Sequence, residues 1–466
     1  MEGKIPHIVV LLPRGEAIRN FVYTGCLDDL AQNAKLTLLS VVPNEEIKNE
    51  LEKRYGKIYP LAALPEKWPV RILREIFDMA HGRWLWSQAA KERWLIRDAE
   101  AVGFSKGLKR HLKKFIAQLF ANAGGIKFIS TLERAVSKKL YPRSPYPKLF
   151  GELKPDLVFN ASHVHSDIAI QALEAARWQG IPTAAFIFSW DNLTSQGRIV
   201  VPYDYYLVWN ESLREQLLKI YPSADPKMVF VTGTPQFDFH FRPEFFWSRE
   251  EFCVRTGADP ARPVVLYTTG MANHMPGEPQ IVEGIADMLK HMLELGPPQL
   301  MVRVYPKDRT GRFELLKKSR PDILFPEIPW EPNWLTPKWE DCFLLTNMLR
   351  HASLGINIAS TVSLELCMFD KPVINVAYNP PGEPPGVWNY AKYYDFEHYR
   401  PVVESGAVGL VRSEDKMAHA LQTILTNSKQ GHEARLKLIK GMFGDTLDGR
   451  VYKRASEILL RIAETA

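Results

Sequence analysis

Residues 353–378, SLGINIASTVSLELCMFDKPVINVAY, constrain this chain more than any other stretch. Residues 353–359 are mostly apolar and read as a buried strand. A hydroxyl-rich turn follows at Ser360, Thr361 and Ser363, then a helix, then Lys371-Pro372, then a second buried strand over 373–377. Strand, crossover helix and strand make one βαβ unit, and such units build parallel sheets. The hydroxyls cluster where the helix starts. Its free N–H groups and positive dipole end therefore face the carboxyl edge of the sheet, where phosphate binds well. The stretch predicts an α/β protein with a phosphate-bearing ligand.

A chain of 466 residues leads one to expect two domains. Its 46% hydrophobic and 24% charged content is that of an ordinary globular protein, whose core is large enough to need no staples. Cys26, Cys253, Cys342 and Cys367 are far apart and form no C-x-x-C pair, which points to a reduced, cytoplasmic setting. The opening MEGKIPHIVVLLPRGE has a single basic residue before a short apolar run and reads as a first buried strand, not a secretory signal. No apolar run is long enough to span a bilayer.

The pattern divides the chain in three. Strand 7–12, the Arg14-Gly15 turn, a helix near 18–33 and strand 36–41 open it. Residues from about 44 to 146 are helical in pattern, rich in Lys, Arg and Trp, with no clear strand. Parallel α/β then resumes with strand 156–160, helix 166–179 and strand 183–188, and strands 205–209 and 228–232 end the first half. The second half has candidate strands at 264–268, 299–304, 323–325, 354–359, 373–376 and 408–410, followed by helix 417–427 and the stretch 431–464. The expected domains are an N-terminal Rossmann-like domain over 1–245, carrying the helical insert, and a second over 246–445. Residues 446–466 are expected as a helix returning to the first domain. Two such halves with ligand edges turned toward each other make a cleft.

Three segments carry a resemblance to a known group. They are Trp190-Asp191-Asn192-Leu193-Thr194, the run Val231-Thr232-Gly233-Thr234-Pro235-Gln236-Phe237-Asp238, and the serine-rich turn at Ser360 followed by Lys371-Pro372-Val373-Ile374. The chain resembles the GT-B glycosyltransferases of bacterial surface-polysaccharide synthesis, related to the CDP-glycerol glycerophosphotransferase-like and Kdo/sialyltransferase-like branches. The resemblance implies an α/β fold of GT-B type and places a nucleotide-sugar donor in the second half. There Ser360, Thr361 and Ser363 would hold the diphosphate and Glu365 the ribose. Glu365 lies five residues after Ser360 and four after Thr361, so a capping box does not account for it, although a plain N-cap does account for the hydroxyls. Arg303, Tyr305 and Lys307 follow a strand where the relatives carry a His-Pro pair; Tyr305 in place of that His counts against a cytidine-type donor. Gly270 would let the backbone approach the ligand, or is a simple turn glycine.

The first half would supply the base and the acceptor groups. An inverting transfer needs a group that takes the acceptor's proton. The candidates, in order, are Asp191, His165 and His163. An Asx-turn or helix cap is the other reading of Asp191. Trp190 and Asn192 flank it as acceptor contacts, and Arg14, Gly15, Arg19 and Asn20 lie at the first strand-to-helix loop. No metal site is expected: there is no His/Cys cluster at zinc spacing, and Asp28-Asp29 sits in the first helix. No cofactor is expected beyond the nucleotide-sugar substrate.

In the insert, Lys106, Lys109, Arg110, Lys113 and Lys114 alternate with Leu108, Leu112, Phe115, Ile116 and Phe120, after Trp84, Trp86 and Trp94. Such a basic amphipathic helix suits an anionic membrane surface or a lipid-linked acceptor, or else packs its apolar stripe on the domain. No nucleic-acid module is visible. The sequence thus predicts a cytoplasmic glycosyltransferase, peripheral on the inner membrane face, acting on a carbohydrate or lipid-linked carbohydrate hydroxyl. A CDP-polyol phosphotransferase, a nucleotide-sugar 2-epimerase and a non-catalytic scaffold of the same fold are the alternatives.

Overall fold

The structure, a computed structural model, describes residues 4–41, 44–141, 144–163, 166–195, 198–292, 297–331, 336–382, 389–427 and 429–465. The chain forms two compact units, Met1–Pro235 with Arg450–Ala466, and Gln236–Gly449.

The first unit is built on a seven-stranded sheet in the order β3-β2-β1-β4-β5-β6-β7. The strands are β1 His7–Leu12, β2 Lys35–Ser40, β3 Tyr59–Pro60, β4 Leu157–Asn160, β5 Thr183–Phe186, β6 Tyr205–Val208 and β7 Val229–Val231. Every neighbouring pair is parallel. β1, HIVVLL, is buried along its whole length, as a strand covered on both faces must be. The helix expected at 18–33 is broken. A π-helical turn, Ile18–Tyr23, gives way at Gly25 (φ 88°) to helix α1, Cys26–Ala31. Glycine enters this left-handed conformation at little cost, so the chain re-aims there.

The insert is helical except at β3, which pairs with β2 and corrects the expectation that this region holds no strand. Its helices are α2 Glu45–Tyr55, α3 Trp68–Leu85, α4 Gln88–Glu100, α5 Phe104–Leu119 and α6 Ala123–Lys139. α3 packs against α5 and α6. Met79, Ala80, Trp94 and Ala117 form one small core of the insert, and Ile76, Phe77 and Ile129 another. A buried arginine fastens the insert to the sheet layer. Arg74 on α3 meets Glu133 on α6 at 2.8 Å and Glu174 at 2.7 Å on α7, Ile170–Trp178, and it also pairs with Glu66.

The second unit has a five-stranded parallel sheet, ordered β14-β13-β12-β8-β9, and a separate antiparallel pair, β10 with β11. The strands are β8 Val264–Thr268, β9 Gln299–Arg303, β10 Trp330–Glu331, β11 Thr336–Pro337, β12 Leu354–Asn357, β13 Val373–Val376 and β14 Gly409–Val411. Helix α8, Val362–Met368, joins β12 to β13 and completes the expected βαβ unit. The expected strand at 323–325 contributes one bridge, Met301 with Leu324. Pro321 and Pro326 flank it and lack the N–H that would extend the ladder. The final helix, α9 Val451–Thr465, packs on α1 and β4 of the first unit.

Both sheets have a point where the strand order reverses. In the first unit it lies between β1 and β4, and in the second between β8 and β12. Loops leaving such neighbours at their carboxyl ends diverge, and the crevice left there is the usual ligand site of an open parallel sheet.

β12 carries Gly355 against α8. A Cβ there would come within 2.0 Å of the Leu366 side chain, which is itself fully buried. Gly355→Ala is expected to cost about 1–3 kcal/mol through overpacking, read as a lower urea midpoint. A variant as stable as the parent would contradict this packing.

Candidate functional site

In the second unit, β12 ends at Asn357 and the chain turns through Ala359, Ser360 and Thr361 into α8. Ala359 sits at φ 42°, a left-handed conformation that costs a non-glycine residue about 1–2 kcal/mol. The Tyr394 hydroxyl holds it, accepting from the Ala359 N–H at 3.2 Å while donating to the Val376 carbonyl at 2.7 Å. Strain fixed in this way is found where a backbone must present itself to a ligand.

Beneath the turn lies a buried polar network in which, among the described residues, only Asn357 Nδ2 is left without a partner. Ser363 Oγ donates to Asn357 Oδ1 at 3.0 Å, and Asn375 Nδ2 donates to both. The Tyr399 hydroxyl is 2.8 Å from Ser363 Oγ and 2.9 Å from Asn375 Oδ1. Ser363, Asn357 and Asn375 are fully buried. Ser363 therefore departs from its expected role: its hydroxyl is held inside, under the turn, away from any ligand outside. Ser360 and Thr361 are half-buried, and Ser360 Oγ accepts from the Val362 N–H at 3.2 Å. Glu365 is nearly buried, its Oε2 2.9 Å from His240 Nε2, and His240 Nδ1 is 3.0 Å from Thr346 Oγ1. A histidine inside this unit, which the sequence did not flag, thus fixes the expected ribose ligand.

The loop after β8 lies across the reversal from this turn. The Gly270 N–H donates to the Glu278 carboxylate at 2.9 Å, and a Cβ at Gly270 would collide with Met275 Sδ at 2.2 Å. The glycine thus makes room for Met275. Glu278 is fully buried, and burial pushes its carboxyl up to about 7 against the pull of Arg312 at 2.8 Å. Arg303 is buried and paired with Asp341 at 2.8 Å, which also accepts from Trp330 Nε1 at 2.6 Å, so its charge is spent within the unit. Tyr305 and Lys307 are half-buried, and the Tyr305 N–H donates to Thr269 Oγ1 at 2.8 Å.

In the first unit, the loop after β5 closes on itself. Asp191 Oδ2 accepts from Ser195 Oγ at 2.6 Å, and its carbonyl accepts from the Ser195 N–H at 2.9 Å. Asn192 Oδ1 accepts from the Ser189 N–H at 2.7 Å. This is the turn chemistry of an Asx cap. Trp190 and Asn192 are buried. Arg14 chelates Glu16 at 3.0 and 3.1 Å and lies 4.9 Å over the Phe188 ring, joining the loops after β1 and β5. Gly15 and Asn20 are buried, and Arg19 Nε donates to Asn20 Oδ1 at 3.0 Å. His165 lies outside the described residues. His163 Nδ1 is 3.3 Å from the Phe186 carbonyl. A carbonyl only accepts, so Nδ1 donates here, and in the neutral tautomer that does so the ring lone pair is on Nε2.

His163 and Asn192 also line a cavity of about 200 Å³, whereas Asp191 does not. The insert forms its other wall with Asp78, Met79 and Gly82 from α3, Ala90, Arg93, Trp94 and Arg97 from α4, and Arg110 from α5. Arg198 and Tyr203 close it, and Asp167 joins the lining. Of these groups, Arg110 and Trp94 were noted in the sequence only as part of a basic amphipathic helix and a tryptophan cluster, and Asp78, Arg93, Arg97, Asp167, Arg198 and Tyr203 were not noted at all. A further signal in the sequence is Arg93 and Arg97, one turn apart on a single helix face. Among the described residues no cluster of three or more His, Cys, Asp or Glu is placed to hold a metal ion.

No family model matches the chain, and no curated protein matches it by sequence. Solved structures do match. UDP-GlcNAc 2-epimerase from Neisseria meningitidis, bound to UDP-GlcNAc, has a TM-score of 0.54 over 98% of this chain and 100% of its own, at 14% identity. S. aureus MnaA with UDP has a TM-score of 0.54 over 97% and 96%, at 12% identity. A glycosyltransferase from Rickettsia africae has a TM-score of 0.50 over 99% and 100%, at 12% identity. Two parallel α/β units matching such structures over nearly their whole length decide the fold. The chain has the GT-B fold. Likeness at this identity fixes the fold and leaves the chemistry to the chain's own residues, and the sugar-phosphate branches named from sequence are not singled out by it.

Near the cavity of this GT-B chain, His81 on α3 is buried and stacks on Tyr221 at 5.7 Å. Burial, then Arg198 and Arg93, hold its imidazole down at about 3. The folded value lies below the ordinary 6.5, so between the two the unfolded chain binds the extra proton. Stability is therefore full above about 7 and falls as pH drops below 6.5, by up to about 1.4 kcal/mol per pH unit for this one group. His81→Leu is expected to flatten that part of the urea midpoint profile between pH 7 and 5. Equal slopes in variant and parent would contradict the assignment.

Proposed function

We propose that this protein is a glycosyltransferase that takes a sugar from a nucleotide-activated donor, bound by the second unit, to a hydroxyl of an acceptor bound by the first. The carrying observation is a pair of candidate sites, one on each unit. One is the strained, hydroxyl-bearing turn 359–361, held by a buried network, and the other is a separate cavity beside His163. An enzyme that alters one nucleotide sugar needs only the first. The donor would lie against Ser360, Thr361 and the backbone of the turn, with Glu365 taking ribose hydroxyls. A uracil nucleotide is the natural first probe, because the epimerase and MnaA structures above were solved with UDP-GlcNAc and UDP.

His163 replaces Asp191 as the preferred base in this reading, because it lines the cavity and Asp191 does not, and its Nδ1 is oriented by the Phe186 carbonyl. Asp191 then shapes the loop that holds Asn192. The 2-epimerase reading is favoured by the likeness to the Neisseria structure, and the assays separate the two. Titration calorimetry with UDP is expected to give about tenfold or greater loss for Ser360→Ala/Thr361→Ala and for Glu365→Gln, the size of one or two lost hydrogen bonds. His163→Gln is expected to lower kcat about 10²–10⁴-fold with UDP affinity kept. Unchanged UDP affinity in both donor-site variants would refute the assignment. Conversion of UDP-GlcNAc with no acceptor present would establish the epimerase instead.

The insert supports a place at a membrane surface. On α5, Phe104 is 88% exposed and Leu108, Leu112, Phe115 and Leu119 are each about 60% exposed, all within one narrow arc. Phe128 on α6 adds to them. Among the described residues no single helix is long and apolar enough to cross a membrane, but α5 and α6, bent by 113°, reach that length and composition together. Lys113 is paired with Glu75 at 2.7 Å, and Lys114 with Asp98 at 2.6 Å, so Lys106 and Lys109 are the residues to meet anionic headgroups. An apolar face of this kind beside exposed lysines suits shallow insertion into an anionic surface. Sedimentation with phosphatidylglycerol vesicles is expected to show binding that weakens at high salt and in Lys106→Glu/Lys109→Glu, and is lost in Leu108→Ser/Leu112→Ser. Failure of the parent to bind such vesicles would contradict a membrane role.

A further inference from the structure

The cavity of the first unit holds more positive charge than its own carboxylates neutralise. Of its four arginines, Arg198 is paired with Asp78 at 2.7 Å and Arg110 with Asp98 at 2.9 Å. Among the described residues no carboxylate lies within ion-pair distance of Arg93 or Arg97, and Asp167 is the remaining acid of the lining. Burial and the neighbouring Arg97 hold the Arg93 guanidinium below its usual value. Asp78, itself paired with Arg198, acts on both from beyond ion-pair distance. Two adjacent guanidinium groups with no carboxylate paired directly to them, in the wall of a hollow, are built to take an anion, and their forked donors match phosphate oxygens.

Size narrows the anion. About 200 Å³ has room for a phosphate or diphosphate with its waters, and is below the range of about 300–1,000 Å³ that encloses a whole drug-sized ligand. The position narrows it further. α5 contributes Arg110 to this cavity and turns its apolar arc outward, so one helix serves both an anion and a lipid surface.

We propose that this cavity binds the phosphate or diphosphate group of the acceptor, which makes the acceptor a phosphorylated one. The word acceptor rests on the transferase reading; the anion site does not. Arg93 and Arg97 are the specific ligands, and Arg110 adds charge from α5.

The test is calorimetry on the full chain with inorganic pyrophosphate, farnesyl diphosphate in non-ionic detergent, and glucose 1-phosphate. The parent should bind pyrophosphate, more weakly at higher salt. Arg93→Gln/Arg97→Gln should weaken it by about tenfold to a hundredfold, while UDP affinity stays within about twofold. Arg97 is exposed, so Arg97→Gln alone supplies a variant safe for folding, and Arg93→Lys should recover part of the loss. A preference for farnesyl diphosphate over glucose 1-phosphate assigns the group to a lipid carrier, and the reverse assigns it to a soluble phosphorylated sugar. Equal pyrophosphate affinity in the parent and the double variant overturns the proposal, as does a parent that binds none of the three. If UDP fails to bind but pyrophosphate binding depends on Arg93 and Arg97, the cavity stands and the transferase reading falls.

Discussion

The buried contact of Ser363 with Asn357, Asn375 and Tyr399 is the constraint on which the donor side of this protein depends. Three polar side chains and a phenol lie at the carboxyl end of β12 and β13, out of reach of water. Each lost bond would leave a partner unsatisfied at about 1–3 kcal/mol. The network therefore admits little slack, and it fixes where the chain leaves β12. Ala359 can then be held left-handed, and Ser360 and Thr361 are presented at the edge of the sheet. His240, Thr346 and Glu365 extend the same logic to the other side of α8.

On the first unit a different interaction plays the corresponding part. Arg74 ties three helices together through Glu133, Glu174 and Glu66, and it stands between the insert and the sheet layer. Breaking one partner of a buried pair costs more than the pair adds, because a charge is stranded. With the insert so fastened, α3, α4 and α5 bring Asp78, Arg93, Arg97 and Arg110 to one cavity. The loops after β4 and β5 bring His163 and Asn192 to it from the other side. The insert is thus as much a wall of a site as an appendage.

Much of the fold was legible because parallel strands covered on both faces are written as short apolar runs. HIVVLL, VVLYT and VINV coincide with β1, β8 and β13 to the residue. The expected strand at 323–325 failed because two prolines bound it, and β3 was passed over because two residues carry no period. That Arg14, His163, Gly270 and Ser360 follow strands was legible too, but the strand order that puts reversals at β1/β4 and β8/β12 was not, because pairing between distant strands leaves no local pattern. Which hydroxyl points outward was not: Ser360 and Ser363 look alike in sequence, and only the fold shows that Ser363 is turned into the network. The cavity escaped for a similar reason, because Arg93 and Arg97 come from α4, Arg110 from α5 and Arg198 from the segment before β6, and no local pattern encodes how these meet.

The central claim is that a nucleotide sits on the turn between β12 and α8. Hydrogen–deuterium exchange of the full chain with and without saturating UDP tests it most directly. The account predicts slower exchange of the backbone amides at 359–366 when UDP is present. UDP-dependent protection confined to other segments, with 359–366 exchanging as in the free protein, would contradict it.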